Sequence, residues 1–214
     1  TLNRSADGGK TWIPLFPSKE EILKEIYTGD HASYEIQVDA TSLYDTASGS
    51  ISNIRIDPVV DSAVYFSMGR YFYYSFDNGK SWNRQDCKQR INFIYAGKTT
   101  RSDVYIFTGE ALHQFDKNTR ELRSREYPAS LLPAFSFTGG IKKDTDSVIF
   151  YAIHHDTSKE VNAEFGYSEI WTSDNMGNSW QQVADTVITN ASGGIKPSYS
   201  MISCAELDAG NVYV

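Results

Sequence analysis

Ser75-Phe76-Asp77-Asn78-Gly79-Lys80-Ser81-Trp82 is a polar turn that ends on a tryptophan. The aromatic run Tyr71-Phe72-Tyr73-Tyr74 enters it and Trp82-Asn83-Arg84 leaves it, which reads as two strands joined by a tight hairpin. Asp77 accepts hydrogen bonds from backbone N–H groups just downstream and holds the turn shut. Gly79 supplies a positive φ that a side chain with a Cβ resists. Ser75 and Ser81 offer hydroxyls to the same backbone, and Trp82 adds a large apolar plate. The pattern returns as Ser5-Ala6-Asp7-Gly8-Gly9-Lys10-Thr11-Trp12 and as Ser173-Asp174-Asn175-Met176-Gly177-Asn178-Ser179-Trp180, with Asn175 in place of the aspartate. Three of the four tryptophans close such a turn, so the pattern marks a repeat.

Working outward, a longer unit repeats around these turns. Ile51–Ser67, Arg90–Thr108, Ala134–Ala152 and Ser200–Val214 each show an alternating strand, a short polar turn and a second apolar strand. Each complete pair is followed by another hairpin, closed at 75–82 and 173–180 by the tryptophan turn and at 115–119 by a plain Asp/Asn turn. Four strands per unit of about forty residues is the signature of a β-propeller, whose blades bury their faces against one another. The expected fold class is therefore all-β, a propeller of four-stranded antiparallel blades. Complete blades are expected at about 51–87, 90–127 and 134–185. Residues 1–16 read as the outer half of a blade and 200–214 as the inner half of another. The halves either join to close a four-bladed ring or belong to a larger propeller, the reading favoured by the exposed strand edges an open arc leaves. Between 17 and 50 lies an insertion for which a helix is expected over 18–29: Ser18-Lys19-Glu20-Glu21 fits a capping box, Ile22, Leu23 and Ile26 form a stripe, and Gly29 is a stop. Loop with a short strand is expected after it.

A formal charge of −7 with 14 tyrosines suits a β-rich globular chain and argues against nucleic acid or an anionic membrane surface as partner. No apolar segment is long enough to span a bilayer, so no membrane insertion is expected. Cys87 and Cys204 have no metal-ligand spacing and read as buried thiols; neither a metal nor a cofactor is expected. Asn3-Arg4-Ser5 and Asn190-Ala191-Ser192 fit the glycosylation acceptor pattern.

In a four-stranded meander the first-to-second and third-to-fourth turns share one rim, and the second-to-third turns and unit-to-unit connections share the other. The first rim, which holds the tryptophan turns, has only tight connections. The second carries every long insertion, 17–50, 153–167 and 186–199, and is the expected binding face. Its candidate substrate-binding residues are Arg70, able to clamp a carboxylate, His154, His155 and Asp156 at a strand end, and Tyr167 in the same loop. Glu160, Glu164, Asp30, His31 and Tyr34 are weaker members of that set. Strand alternation lets only one of His154 and His155 face the ring axis.

The tryptophan turns resemble the Asp-box, or BNR repeat, S-x-D-x-G-x-[ST]-W. The run from Ile56-Asp57-Pro58 through Ala63-Val64-Tyr65-Phe66 to the turn at 75–82 is similar to the blades of xyloglucan-hydrolysing glycoside hydrolases, sialidases and sortilin-type receptors. The resemblance implies an exported protein, secreted or periplasmic or at the cell surface, that acts on a polysaccharide or glycan and has further domains as partners. It implies glycoside hydrolysis by two carboxylates roughly 5–9.5 Å apart, or by a tyrosine nucleophile if sialidase-like. The alternative is a non-catalytic propeller that binds glycan or protein. No arginine triad of the sialidase kind, and no Cys-rich module of the sortilin kind, is found in the sequence. In these families the Asp-box is structural and lies away from the active site, so Asp7, Asp77 and Asn175 are expected to be turn formers.

Overall fold

A computed structural model describes residues 1–28, 33–98, 103–143, 145, 147–156, 167–184 and 201–214. A two-stranded sheet opens the chain, β1 (Leu2–Arg4) with β2 (Ile13–Phe16), and a hairpin of β3 (Ile22–Thr28) and β4 (Ser33–Val38) follows. Three four-stranded antiparallel sheets come next. The first is β5 (Ile51–Ile56), β6 (Val64–Met68), β7 (Tyr71–Ser75) and β8 (Asn83–Asp86). The second is β9 (Ile91–Ala96), β10 (Val104–Thr108), β11 (Ala111–Phe115) and β12 (Leu122–Glu126). The third is β13 (Ala134–Ile141), β14 (Val148–Asp156), β15 (Tyr167–Ser173) and β16 (Gln181–Ala184). A two-stranded sheet of β17 (Ser203–Ala205) and β18 (Asp208–Tyr213) ends the chain. Within each four-stranded sheet the strands pair in sequence order.

Period-2 alternation explains why these strands stack into layers, since successive side chains leave a strand on opposite faces. In β6 and β7, Tyr65, Phe72 and Tyr74 enter a core shared with Ile94, Ile106 and Phe115 of the second sheet. Their neighbours Phe66, Met68 and Tyr73 turn the other way, onto Leu2 and Phe16 of the opening sheet. The second sheet repeats the division: Val104 and Ile106 face the first sheet, while Tyr105 and Phe107 face Phe137 and Phe150 of the third. Phe150 is fully buried, its ring 4.9 Å from Tyr105 and 5.0 Å from Phe107. Truncating so enclosed an aromatic costs about 3–5 kcal/mol.

The first strands β5, β9, β13 and β17 lie side by side along the stack. Polar groups tie them: the Arg55 Nε donates to the Ile94 carbonyl at 3.0 Å, the Cys204 N–H to Thr138 Oγ1 at 3.2 Å, and the Ile141 N–H to the Glu206 carbonyl at 2.9 Å. Gly140 permits the last approach, because a Cβ there would sit 2.7 Å from the Ala205 oxygen. Among the described residues β1–β2 and β17–β18 are separate two-stranded sheets.

All three tryptophan turns are built alike. Ser75 Oγ donates to Asp77 Oδ1 (2.7 Å) and accepts from the Gly79 N–H (2.9 Å), while Asp77 also accepts from the N–H of Lys80 and Ser81 and from the Ser81 hydroxyl. Ser5, Asp7, Gly9 and Thr11 repeat the pattern. In the third copy Asn175 fills the aspartate's place. Its Oδ1 accepts from Ser173 Oγ and the Ser179 N–H, and its Nδ2 donates to the Ser179 hydroxyl, which reverses role from donor to acceptor. Each turn uses two consecutive left-handed residues: Gly8 and Gly9, Asn78 and Gly79, Met176 and Gly177.

The insertion differs from expectation. Residues Lys19–Glu21 form only a single 3-10 turn, and the stretch expected to continue as helix is strand β3. The capping box itself is present, with the Glu21 carboxylate accepting the Ser18 N–H at 2.7 Å. Ile22, Ile26, Tyr27 and Thr28 are β-branched or aromatic, and pairing with β4 supplies the partner that a lone helix turn lacks. Cys87 is buried, its thiol pushed up to about 12 by burial. Cys204 is only partly buried, against expectation, because β17 belongs to a two-stranded sheet.

Candidate functional site

The strand order places the turns at 69–70 and 109–110, the connections at 87–90 and 127–133, and the β14–β15 loop mouth on one rim. The turn at 69–70 is clamped at both ends of the following connection. The Cys87 N–H donates to the Arg70 carbonyl and the Ile91 N–H to the Gly69 carbonyl, each at 3.0 Å. Gly69 has φ +60, and a Cβ there would collide with the Ser48 carbonyl, so the 45–48 segment of the insertion is seated directly on this turn. That segment is itself capped by Asp45, which accepts from the Ala47 N–H (3.0 Å) and the Ser48 hydroxyl (2.6 Å).

Together these pieces line an open, shallow cleft of about 410 Å³, bordered by Asp45, Ala47, Ser48, Arg70, Tyr71, Lys88 and Arg90. Arg70 is half exposed and lies 3.4 Å from Asp86 Oδ1 through Nε, while its Nη2 donates to the Tyr71 hydroxyl at 3.1 Å. Lys88 reaches the other Asp86 oxygen at 3.3 Å. The Tyr71 ring carries two guanidinium groups, Arg84 at 4.6 Å and Arg70 at 5.1 Å from its centroid. Hydrogen bonding by the Ser48 hydroxyl first, then by the Ala47 N–H, holds the Asp45 carboxyl below its ordinary range. For Asp86, burial pushes upward, but the Lys88 N–H and side chain and the Arg70 charge outweigh it and keep it ionised.

The strand end of the third sheet supplies the remaining candidates. His154 is buried, its Nδ1 3.2 Å from the Pro133 carbonyl, which requires that nitrogen to carry the proton. In register it faces Ala134 on one side and Glu169 on the other. Glu169 is also buried and accepts the Trp171 indole N–H at 3.1 Å. His154 therefore lies on the face that packs against the second sheet, the face of Ala152 and Phe150, two and four positions before it. His155 pairs with Ser168 and Asp156 with Tyr167 in the backbone ladder. Asp30, His31, Glu160 and Glu164 lie outside the described residues. Arg70 and the 154–167 strand ends share the rim but belong to different sheets.

Lys88, Arg90 and Arg84 escaped the sequence reading because a charged residue in a short connection carries no pattern of its own. A signal was present in the spacing: Arg84 lies in the last strand of Arg70's sheet, and Lys88 and Arg90 in the connection that follows it. A second cleft, about 230 Å³, opens at the other rim between the first strands, with Arg55, Tyr95, Lys98, Thr138, Cys204 and Glu206 in its lining. Loop length gave no hint of it. Its charged groups answer one another, with Lys98 Nζ 3.0 Å from Glu206 Oε2 and Arg55 donating to the Ile94 and Ile54 carbonyls. Among the described residues no three His, Cys, Asp or Glu side chains gather as metal ligands.

No protein-family model matches the chain, and neither does any curated protein. Solved structures do. The GH74 xyloglucanase from Xanthomonas campestris aligns over 99% of this chain at 16% identity and a TM-score of 0.58. The GH74 enzyme from Niastella koreensis aligns over 83% at 14% identity and 0.56, and an ancestral GH74 enzyme over 98% at 11% and 0.54. The chain spans only 29–31% of the length of these structures. What the likeness carries is the fold: stacked four-stranded antiparallel sheets of the β-propeller kind.

Proposed function

We propose that this chain is part of an exported Asp-box β-propeller that acts on polysaccharide, glycoside hydrolase-like in kind, with the sheets at 51–87, 90–127 and 134–185 as its blades. The observation that carries this reading is the fold likeness to GH74 enzymes, one of them a xyloglucanase, over nearly the whole chain. The substrate-contacting edge is the insertion rim: Arg70 with the strand ends that bear His154, His155, Asp156 and Tyr167. His154 serves there as a buried support for the loop mouth. The tryptophan turns serve the fold.

A specific observation favours a second reading, a blade set that binds glycan without cleaving it. A glycosidase needs a carboxyl kept protonated as general acid, hence with its pKa raised. Asp45 and Asp86, the carboxylates beside the cleft, are both shifted downward and engaged. On this reading the catalytic pair is supplied elsewhere in a longer chain. Incubation of the protein with xyloglucan and with sialylated glycans, read by reducing-end release and by affinity electrophoresis, separates the two. Retardation with release supports the hydrolase, and retardation without release supports the binding module. Neither retardation nor release rules out both.

A further inference from the structure

The chain is acidic, with a formal charge of −7, yet cations gather at one place on the insertion rim. Arg70, Lys88 and Arg90 line the cleft, and Arg84 stands over the ring of Tyr71 at its wall. Two carboxylates oppose these four cations, and both are already occupied. Asp45 caps the 46–48 turn, and Asp86 is shared between Arg70 and Lys88. The site thus keeps cationic capacity that the protein does not neutralise. Among the described residues Arg90 has neither an ion pair nor a hydrogen bond, and Arg70 Nη1 is left without an acceptor.

Two of the four cations, Arg70 and Arg84, are also held in place before any ligand arrives. Asp86 and the Tyr71 hydroxyl fix the Arg70 guanidinium, the Leu43 carbonyl accepts from Arg84 Nη1 at 3.4 Å, and Tyr71 supports both through its ring face. Donors fixed in advance lose less side-chain freedom when they engage a ligand. The cleft is open to solvent, so it can take a group carried on an extended polymer.

We infer that the Arg70–Lys88–Arg90 cleft binds the anionic group, carboxylate or sulfate ester, of an acidic polysaccharide. The inference rests on the glycan reading above and names the class of chain that this edge takes. A planar guanidinium matches either anion with two parallel hydrogen bonds. The protein's overall negative charge repels polyanions at a distance. Attraction is therefore confined to chains that enter the cleft, within a Debye length of about 8 Å at physiological salt.

The test uses affinity electrophoresis with polygalacturonate, dextran sulfate, fully methyl-esterified pectin and xyloglucan. Arg90→Gln is the first variant, since that side chain is exposed and has no ion pair or hydrogen bond among the described residues; Arg70→Gln is the second. Retardation by an acidic polymer is expected, weakened about fivefold by Arg90→Gln, the worth of one partly solvated ion pair, with binding of neutral polymers unchanged. Response to polygalacturonate identifies a carboxylate and response to dextran sulfate a sulfate ester; either supports the inference. Binding of an acidic polymer that both variants leave intact overturns it. Retardation by xyloglucan alone overturns it too but leaves the proposed function standing, whereas no retardation by any polymer removes both. Thermal melts of each variant confirm that the fold is kept.

Discussion

The two rims of this molecule use the same polar residue types and differ in how far those residues are satisfied. On the turn rim the carboxylates of Asp77 and Asp57 are fully engaged within the fold. Asp77 accepts four hydrogen bonds from within its own eight residues. Asp57 accepts from two backbone N–H groups and from the Tyr65 hydroxyl, and it pairs with Lys117 of the neighbouring sheet at 3.0 Å. On the insertion rim Arg90 and part of Arg70 are left with capacity to spare. Saturated groups hold a fold together, and unsaturated ones at a cleft are what a ligand can use.

A smaller contrast within the turn rim shows what the tryptophans do. Trp82 reaches the preceding sheet: its indole N–H donates to the Leu15 carbonyl at 3.0 Å, and its ring meets Phe16 at 5.9 Å and Phe66 at 4.9 Å. Trp12 has the same turn behind it but is 63% exposed, and its N–H stays local, on the Gly9 carbonyl. The polar network belongs to the eight residues themselves. The tryptophan's packing depends on the neighbouring sheet.

The largest expected effect breaks that smaller contrast. Trp82→Ala should lower stability by about 3–5 kcal/mol, while Trp12→Ala should stay within about 0.5 kcal/mol, both read from urea unfolding. Equal losses would mean that tryptophan acts inside its own turn.

The glycines sharpen the same point at smaller scale. Gly9 and Gly79 both have positive φ, but a Cβ on Gly79 would meet Leu15 Cδ1 at 2.8 Å, whereas on Gly9 the nearest atom, in Trp12, is 3.8 Å away. Gly9→Ala should cost roughly 1–2 kcal/mol for the left-handed backbone alone. Gly79→Ala should cost clearly more in the same unfolding experiment.

The carboxylates give a pH test. Burial pushes Asp77 upward, but the Ser81 hydroxyl and N–H, with Ser75 and the Lys80 N–H, outweigh it and hold its carboxyl at about 2, below the usual 3.8. A depressed folded-state pKa stabilises fully above the unfolded value, and the contribution is lost as pH falls from about 4 toward 2. Solvent screening keeps it to about 1 kcal/mol or less. Asp77→Asn, which the third copy shows to be compatible with the turn, should remove that share of acid sensitivity. Melting temperatures of protein and variant should converge near pH 2; parallel curves would contradict the assignment.

The smallest expected stability effect belongs to the other rim. Lys88→Gln and Arg90→Gln should shift unfolding by no more than about 0.5 kcal/mol, as exposed charges do. A large loss would place these side chains among the fold's supports and erase the difference between the rims.

Much of the fold was legible because it rests on local rules. Alternation in Val64-Tyr65-Phe66 and Val104-Tyr105-Ile106 marks strands packed on both faces, and the S-x-D-x-G-x-[ST]-W spacing encodes a turn that closes on itself. What escaped depends on pairing between distant residues. Ile22–Thr28 looks helical after its capping box until β4 is there to pair with it. Of the candidate site, Arg70 was legible from its place in a tight turn on the insertion rim. The cations that join it come from the 84–90 stretch and meet it only because the Gly69 and Arg70 carbonyls clamp that connection. His154 looked like a loop-mouth residue; its burial against the second sheet depends on the register with Ala134 and Glu169.

The division of labour between the rims is tested most directly by hydrogen–deuterium exchange with and without a bound polysaccharide. Slowed exchange is expected at 69–71, 84–91 and 153–156, with 5–12, 75–82 and 173–180 unchanged. Protection of the tryptophan turns with the insertion rim unaffected would contradict the account.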